Sequence, residues 1–234
     1  MGAIYRRELK NYFTSPLGYV FIAVLLFFEG FQFYNILGAG NSEYFIYIYS
    51  FIFTFCMMMI PVLTMRLMSE EKKQKTDQAL LTAPVSLGAI VLGKFFAAFT
   101  VYAIAIGSTL VHAFVMSFFG PANWGAIFGN IIGTLLYGSA IIAIGLFISG
   151  LTDSQMIAAI GSFAISIFLL VADTLVGAIN SPFLTKIAQW VSFYSRYVDF
   201  TSGIFNFASV IFFLSIAGVF LYLSVSALEK RRWS

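Results

Sequence analysis

The chain has 234 residues, of which 60% are hydrophobic and 10% are charged, with a formal net charge of +3. Because roughly a quarter of the residues in soluble domains are charged, this composition excludes an ordinary soluble domain and indicates a membrane protein. The positive charge is too small and too scattered to indicate nucleic-acid binding. A single cysteine, Cys56, excludes a disulfide within the chain.

Residues 1–15 are predicted to form an amphipathic helix that lies at the membrane surface. Its two sides differ in composition, with Tyr5, Leu9, Tyr12 and Phe13 on one and Arg6, Arg7 and Lys10 on the other. A disordered basic leader is the alternative interpretation. We do not expect a cleaved signal peptide, because the apolar run that follows, residues 17–37, makes about 31 Å of helix, whereas the apolar region of a signal peptide has about 7 to 15 residues.

Six apolar segments are each long enough to cross a bilayer. They cover residues 17–37, 44–65, 87–119, 124–150, 155–179 and 204–228. Where the connections have only a few residues, successive helices must be antiparallel neighbours. The predicted fold is therefore an all-α integral membrane protein with six transmembrane helices in a single domain, residues 1–234.

The distribution of basic residues predicts the orientation of these spans. Two basic residues, Lys186 and Arg196, lie on one side of the predicted membrane, and eleven lie on the other: Arg6, Arg7, Lys10, Arg66, Lys72, Lys73, Lys75, Lys94, Lys230, Arg231 and Arg232. By the positive-inside rule, both termini and the loop of residues 66–86 are predicted to be cytoplasmic. The expected location is the plasma (inner) membrane.

The outer connection, residues 180–203, is too aromatic for an ordinary solvated loop. Its rings include Trp190, Phe193, Tyr194, Tyr197 and Phe200, and its charged residues are Lys186, Arg196 and Asp199. Amphipathic rings prefer the membrane interface, so this composition predicts one or two short interfacial or re-entrant helices before the last span. A surface loop with aromatic anchors is the alternative.

Small residues form a stripe in the fourth span. Gly125, Gly129 and Gly133 recur at intervals of four, and Gly145 and Ser149 repeat that spacing later. Small residues allow helix backbones to approach closely. We expect packing within the subunit, with a contact between two copies of the chain as the alternative.

The sequence lacks the residues on which most membrane-embedded enzymes depend. His112 is its only histidine, so a two-histidine zinc site cannot form within one chain. The pattern G-x-x-x-x-G-K-[ST], which binds nucleotide phosphates, is absent. We therefore predict no catalytic residue and no metal site, and expect any ATP hydrolysis to take place on a separate polypeptide.

Three ionisable residues within the predicted spans are candidates for a translocation path: Glu29, His112 and Asp173. A charge at mid-bilayer costs about 2.5–3.5 kcal/mol on insertion scales, so these side chains should face protein or water. In the alternative interpretation, Glu29 is protonated or hydrogen-bonded to a neighbouring helix, and the other two reach interfacial water.

The longest polar interruption of the chain is the loop of residues 66–86. Its charged residues begin with Arg66, Glu70, Glu71, Lys72, Lys73 and Lys75. Thr76 is predicted to cap a short helix that starts at Asp77 and ends before Pro84, since proline disfavours helical geometry in the preceding residue. Leu80 and Leu81 would project from this helix, which is typical of a docking element. The alternative is that both leucines pack under the protein's own helices.

Four blocks of sequence resemble the ABC-2 type permease family, and in particular its gliding-motility and copper-site-maturation branch. The blocks are YRRELKNYFTSPLGY at 5–19, PVLTMRLMSEEKKQKTDQALLTAPVS at 61–86 with IVLGKF at 90–95, SFYSRYVDFTSGIFN at 192–206, and LSIAGVFLYLSVSALEKRRW at 214–233. Together they cover about a third of the chain. One departure is Lys75, which stands where the family usually has glycine.

This resemblance implies the transmembrane subunit of an ATP-driven ABC transporter, an exporter, rather than an enzyme. The implied partners are an ABC ATPase subunit that carries ATP and Mg, a second copy of the permease or a related membrane subunit, and a gliding-type auxiliary protein with an extracytoplasmic domain. The loop of residues 66–86 would hold the coupling helix. The implied ATPase contacts are Glu70, Glu71, Thr76, Asp77, Gln78, Leu80 and Leu81, with Arg6, Arg7 and Lys10 on the interfacial helix. A motor-independent channel or secondary transporter that uses Glu29 is the competing class.

Overall fold

The computed structural model describes residues 1–39, 47–78, 85–120, 123–178, 192–201 and 206–232. These residues contain α-helices and no strands. The helices are α1 Gly2–Thr14, α2 Pro16–Ala39, α3 Tyr47–Thr64, α4 Ser69–Lys73, α5 Leu87–Gly107, α6 Thr109–Met116, α7 Trp124–Leu151, α8 Gln155–Ala178, α9 Phe193–Thr201 and α10 Phe207–Arg232. Six stretches are long and apolar enough to cross a membrane, so the predicted all-α membrane fold is confirmed.

The bundle has a buried centre and an apolar exterior. Helices α3, α5 and α7 form the centre, where Phe53, Tyr102 and Tyr137 are fully buried. Helices α2, α8 and α10 surround it and expose large apolar side chains such as Phe27 and Ile160. A helix satisfies its backbone polar groups internally and can therefore face hydrocarbon. Such an apolar exterior can face the hydrocarbon of a bilayer.

The third span differs from the continuous helix predicted over residues 87–119. It divides at Ser108, where α5 ends and α6 begins, and α6 ends at Met116. The Ser108 amide donates to the carbonyl of Ala105 at 3.2 Å, a tighter turn than the helix on either side. By hydropathy the span is one apolar stretch, Leu87–Met116. A local change in backbone hydrogen bonding does not alter the hydropathy of the residues.

Helix α1, helix α4, the turn between α7 and α8, and the last turn of α10 meet at one end of the bundle, which we call the α1 end. The contacts that join them are Arg7 with Glu71, Lys72 with the carbonyl of Gly150, and Arg231 with both Asp77 and Asp153. The loop after α3 therefore lies on the same side as α1 and the end of α10. The sequence had predicted this shared side.

At the opposite end, α9 packs between α3 and α7. The Tyr197 hydroxyl donates to the carbonyl of Tyr49 at 3.0 Å and lies 2.8 Å from the Thr134 hydroxyl. Gly133 lets Phe200 approach α7, since a Cβ there would lie 2.6 Å from the ring. The predicted outer helix is thus present over Phe193–Thr201, and residues 179–191 and 202–205 lie outside the described part of the chain.

Candidate coupling site

Helix α1 packs on the bundle through one stripe of its surface. Ile4, Glu8 and Tyr12, each four residues apart, are the buried residues of this helix. A Cβ at Gly93 of α5 would lie 2.9 Å from the Ile4 side chain, so glycine is needed there for this close approach. The Tyr12 hydroxyl donates to the carbonyl of Leu63 at 2.8 Å. Helix α1 is therefore attached to both α3 and α5.

A charged cluster, which we call the Lys94 cluster, lies where α1, α4 and α5 meet. It consists of Arg7, Glu8, Glu71 and Lys94. The Lys94 side chain is only 1% exposed, and its ammonium nitrogen lies 3.1 Å from Glu8 Oε1 and 2.9 Å from Glu71 Oε2. It also donates to the carbonyl of Leu67 at 2.6 Å. The three donors of the ammonium group therefore each have an acceptor.

Electrostatic balance explains how these charges can be buried. The two cations and two carboxylates sum to zero, and Arg7 pairs with both Glu8 and Glu71. Burial alone raises the pKa of Glu8, but the positive charges of Lys94 and Arg7 outweigh it and hold that pKa below its ordinary value. Burial lowers the pKa of Arg7, and the two glutamates outweigh that effect and raise it. Glu8 and Arg7 are therefore held in their charged forms.

The loop that follows α3 is anchored on α7 by the hydroxyl of Ser149. This oxygen accepts the backbone N–H groups of Met68 and Ser69, both at 3.1 Å, and donates to the carbonyl of Met65 at 3.0 Å. Ser149 is fully buried. One side chain thus satisfies three backbone groups where α3 gives way to α4, which fixes the start of the loop against the bundle.

The turn after α4 has a left-handed backbone at Lys75, whose φ is 57°. This conformation favours glycine, because a side chain there is strained. The amide of the next residue, Thr76, donates to the carbonyl of Glu71 at 3.0 Å, and its hydroxyl reaches the same carbonyl at 3.3 Å. The resemblance to the ABC-2 family had singled out position 75 for its missing glycine, and the chain makes the same turn with lysine.

Asp77 begins the next helical segment and faces inward. Its side chain is 8% exposed, and its Oδ2 lies 2.9 Å from the Arg231 guanidinium of α10. Arg231 also lies 3.4 Å from Asp153, in the turn between α7 and α8. The entry to the predicted coupling helix is thereby held against two other connections of the α1 end.

A second polar site lies within the membrane-spanning part of the bundle. Glu29 of α2 is 1% exposed, and its Oε2 accepts a hydrogen bond from the Ser108 hydroxyl at 2.6 Å. Its other oxygen, Oε1, has no hydrogen-bond partner among the described residues. One turn further along each helix, the ring of His112 lies 5.0 Å from that of Phe33, and its buried Nδ1 also lacks a partner in the described part of the chain.

The described residues thus form a bundle of membrane-spanning helices, in which the loop after α3 is held by several ion pairs and hydrogen bonds. The family described as ABC-2 family transporter protein matches residues 34–229, well over half of the chain. The chain belongs to the ABC-2 transporter family. It is a multi-pass membrane protein and the permease subunit of an ABC transporter, a family in which the permease works with an ABC ATPase subunit. Comparison with curated proteins finds no match.

Several predicted contact residues of the permease make ion pairs within the chain. Glu71 lies in the Lys94 cluster, Asp77 pairs with Arg231, and Glu70 binds Arg66 with both oxygens, at 2.7 and 2.8 Å. Other predicted contacts are exposed: Thr76, Gln78, Arg6 and Lys10. Leu80 and Leu81 lie outside the described residues, so their contact with an ATPase remains a prediction.

The structure brings two of the three predicted path residues to one interface of the permease. Glu29 and His112 both lie between α2 and the third span. Asp173 belongs to α8, which packs against α3 and α7, and its side chain is outside the described residues. A role of these residues in translocation stays a prediction.

Sequence reasoning overlooked the two residues at the centre of the coupling site. Glu8 falls on the stripe of Ile4 and Tyr12, and a carboxylate on the apolar side of a helix predicts a buried cation nearby. Lys94 lies within the predicted third span, where a charge requires a partner. Each signal was present in the sequence, but the pairing of these two residues depends on how α1 folds back on α5.

Proposed function

We propose that the permease couples to its ATPase through the loop after α3, and that the Lys94 cluster transmits the movement of this loop to the third span and to α1. The ATPase would contact Thr76, Gln78, Leu80 and Leu81, with Arg6 and Lys10 as additional contacts. The other predicted contact residues would hold this surface in position through their ion pairs within the chain; they are Glu70, Glu71, Asp77 and Arg7. One observation carries the proposal: the ammonium group of Lys94 binds acceptors from three separate elements, at 3.1 Å on α1, 2.9 Å on α4 and 2.6 Å on the segment between α3 and α4.

This geometry supports transmission because a buried ion pair is strongly destabilised when one partner is withdrawn. A displacement of α4 that left Lys94 behind would separate the buried ammonium group from Glu71 and leave one of its three donors without an acceptor. Moving α4, α1 and the base of α5 together avoids that cost. The three elements therefore form one mechanical unit, and the loop can drive the span.

The finer features of the proposal follow from the sequence blocks named above. The permease belongs to the gliding-motility and copper-site-maturation branch and works as an exporter in the plasma (inner) membrane. Both termini and the α1 end face the cytoplasm, and the functional unit contains two permease subunits and two ATPase subunits, which carry ATP and Mg. A gliding-type auxiliary protein with an extracytoplasmic domain completes the assembly.

The docking surface is tested by co-purification of the ATPase with the permease. The double substitution Leu80→Asp with Leu81→Asp places two charges on the predicted apolar contact and should abolish co-purification. Leu80→Met with Leu81→Met keeps the contact apolar and should retain the ATPase at wild-type stoichiometry. Size-exclusion chromatography checks that each variant remains folded. If the aspartate variant still carries a full complement of ATPase, the loop is not the docking site.

Transmission is tested separately with Lys94→Met. Because Lys94 is buried and does not form the docking surface, this variant should bind the ATPase normally. The permease should then no longer alter the hydrolysis rate of the bound ATPase, measured against the ATPase alone. Lys73→Met, at an exposed position on α4, is the control and should leave that effect intact. Normal coupling in Lys94→Met would contradict transmission through the cluster.

One observation favours a second function, a motor-independent channel or secondary transporter that uses Glu29. The buried Oε1 of this residue has no hydrogen-bond partner in the described part of the chain, and a half-satisfied carboxyl group can bind a proton or a cation. Transport into sealed vesicles without any ATPase, driven by an ion gradient and lost in Glu29→Gln, would support this function. If neither the wild-type permease nor the Glu29→Gln variant shows gradient-driven flux, this second function is excluded.

A further inference from the structure

The hydroxyl oxygen of Ser108 has two close oxygen neighbours at the break in the third span. It lies 2.6 Å from Glu29 Oε2 on α2 and 2.5 Å from the backbone carbonyl oxygen of Ala105, three residues earlier in the chain. Both distances belong to O–H···O hydrogen bonds. Two oxygen atoms that approach this closely repel each other unless a hydrogen lies between them. Each contact therefore requires a hydrogen.

The number of hydrogens limits how both contacts of Ser108 can form. A serine hydroxyl carries one hydrogen and can accept another through its lone pairs. With the hydroxyl as the donor to an ionised Glu29, the contact with the Ala105 carbonyl is left without a hydrogen. A protonated Glu29 removes this conflict, because the carboxyl group donates to Ser108 and the hydroxyl is free to donate to Ala105. Only the protonated form satisfies both contacts.

Other serines of the bundle show where such a hydroxyl points. Ser117 and Ser139 donate to the carbonyl oxygens of Phe114 and Leu136, three residues before each, both at 2.6 Å. Serine side chains in helices make this bond because the carbonyl of the preceding turn lies within their reach. The contact of Ser108 with the carbonyl three residues before it has the same spacing. Its hydrogen is therefore directed along its own helix and away from α2.

The surroundings of Glu29 favour a neutral carboxyl group. The residue is 1% exposed, and none of the ion pairs among the described residues involves it. The titratable groups near it on the helices that pack against α2 are Tyr49 and Cys56 on α3 and His112 on α6. None of these is a lysine or arginine. A buried carboxylate without a cation costs far more free energy than a buried neutral carboxyl group.

We propose that Glu29 is a proton-binding site within the membrane-spanning part of the bundle. Its protonated carboxyl group donates to the Ser108 hydroxyl, which donates in turn to the carbonyl of Ala105. The other oxygen, Oε1, is then a neutral carbonyl oxygen, and its missing partner costs less than that of an ionised oxygen. A metal ion is a poorer ligand for this site, because the described residues contain no group of three or more His, Cys, Asp or Glu side chains that could hold one. The inference names the ion of the second function proposed above, and rests on that function only for the transport of the proton.

The bound proton is tested by infrared difference spectroscopy of the full-length permease in nanodiscs at pH 7. A protonated carboxyl group has a carbonyl stretch band that is separate from the bands of carboxylates and amides. The difference between the wild-type permease and the Glu29→Gln variant should contain one such band. If the two proteins do not differ in this band at pH 7, Glu29 is ionised and the proposal is overturned.

A second substitution tests which group donates. Ser108→Ala removes the proposed acceptor, so the carbonyl band of the protonated Glu29 should persist at pH 7 and shift to higher frequency. Ser117→Ala is the matched control, since Ser117 makes the same bond to its preceding turn and should leave the band in place. An unchanged band in Ser108→Ala, or the same shift in both variants, would contradict donation from Glu29 to Ser108.

A measurement on the wild-type chain covers the case in which Glu29→Gln does not fold. Dicyclohexylcarbodiimide dissolves in lipid and modifies carboxyl groups in their protonated form. At pH 7, peptide mass spectrometry should find the adduct on Glu29 and not on Glu8, which is held in its charged form. An adduct that forms on Glu29 only in acid would overturn the proposal. None of these measurements uses an ion gradient, so a permease with the bound proton but without gradient-driven flux would refute the second function alone.

Discussion

The Lys94 cluster and the Glu29 site both contain buried ionisable groups, and they differ in how completely the hydrogen bonds of these groups are satisfied. Lys94 has three acceptors within 3.1 Å. Glu29 has one hydrogen bond, from Ser108, and its Oε1 has no partner in the described part of the chain. A fully paired charge resists change because each rearrangement leaves a group unsatisfied. A half-paired group can gain a proton or ligand, so the first site suits a mechanical link and the second a reactive position.

The largest expected effect comes from removing the centre of the paired site. Lys94→Met leaves Glu8 and Glu71 as partly buried carboxylates with only Arg7 as a cation, and should lower the free energy of unfolding by about 3 kcal/mol. Thermal unfolding of the purified permease measures this loss. The exposed control Lys73→Met should change stability by less than about 0.5 kcal/mol. Similar stability of the two variants would show that the cluster is not a structural link.

A smaller effect, dependent on pH, is expected for Glu8. The folded pKa of this residue lies below its ordinary value, so its stabilising contribution is fully present above the unfolded pKa of about 4.3 and is lost as the pH falls through the folded pKa. Glu8→Gln should therefore destabilise the permease at pH 7 by about 1–2 kcal/mol. Unfolding at pH 7 and below pH 4 measures the difference, which should shrink in acid. A constant difference would show that the charge of Glu8 is not involved.

A much smaller loss of stability is expected when the half-paired residue, Glu29, is replaced. Glu29→Gln replaces a buried carboxyl group by an amide but keeps the shape of the side chain and an oxygen that can accept the Ser108 hydroxyl. Its effect on the free energy of unfolding should stay within about 1 kcal/mol, against about 3 kcal/mol for Lys94→Met. Parallel thermal unfolding of the two variants checks the ranking. A larger loss in Glu29→Gln would mean that Glu29 is itself a structural link.

The smallest effect is expected outside both sites, in the turn before the predicted coupling helix. Lys75→Gly removes the strain of a left-handed lysine, whose φ is 57°, while glycine adds freedom to the unfolded chain. These effects oppose each other, so stability should change by less than about 0.5 kcal/mol. Lys75→Val, which is branched at Cβ, should instead destabilise the turn. Equal unfolding temperatures for the glycine and valine variants would argue against the left-handed turn.

More of the fold than of the two polar sites could be predicted from the sequence. Hydropathy and length locate the six spans, and the aromatic composition of residues 180–203 predicts one or two short outer helices, of which the described residues contain Phe193–Thr201. The break at Ser108 could not be predicted, because its cause is a change in backbone hydrogen bonding within a uniformly apolar run. The spacing of Ile4, Glu8 and Tyr12 could have revealed that Glu8 is buried, but its partner is 86 residues away in the chain.

The ion pairs of the predicted docking residues could not be predicted from the sequence either. Charged residues in a loop suggest a solvated surface, yet Glu71 and Asp77 are held by Lys94 and Arg231 from distant helices. Such long-range pairings depend on how the helices pack, which local patterns do not encode. Thr76 is exposed, as expected for a contact residue, so the part of the loop open to a partner is smaller than its charge content suggests.

Helix α5 connects the two polar sites as a rigid arm. Lys94 lies near its base, and Ser108, which binds Glu29, lies at its far end, 14 residues and about 21 Å away along the axis. A tilt of about 5° at the base would carry the far end about 2 Å, enough to stretch the Ser108–Glu29 hydrogen bond beyond its usual range. A movement of about 2 Å that begins at the membrane surface would then release a buried carboxyl group deep in the bilayer.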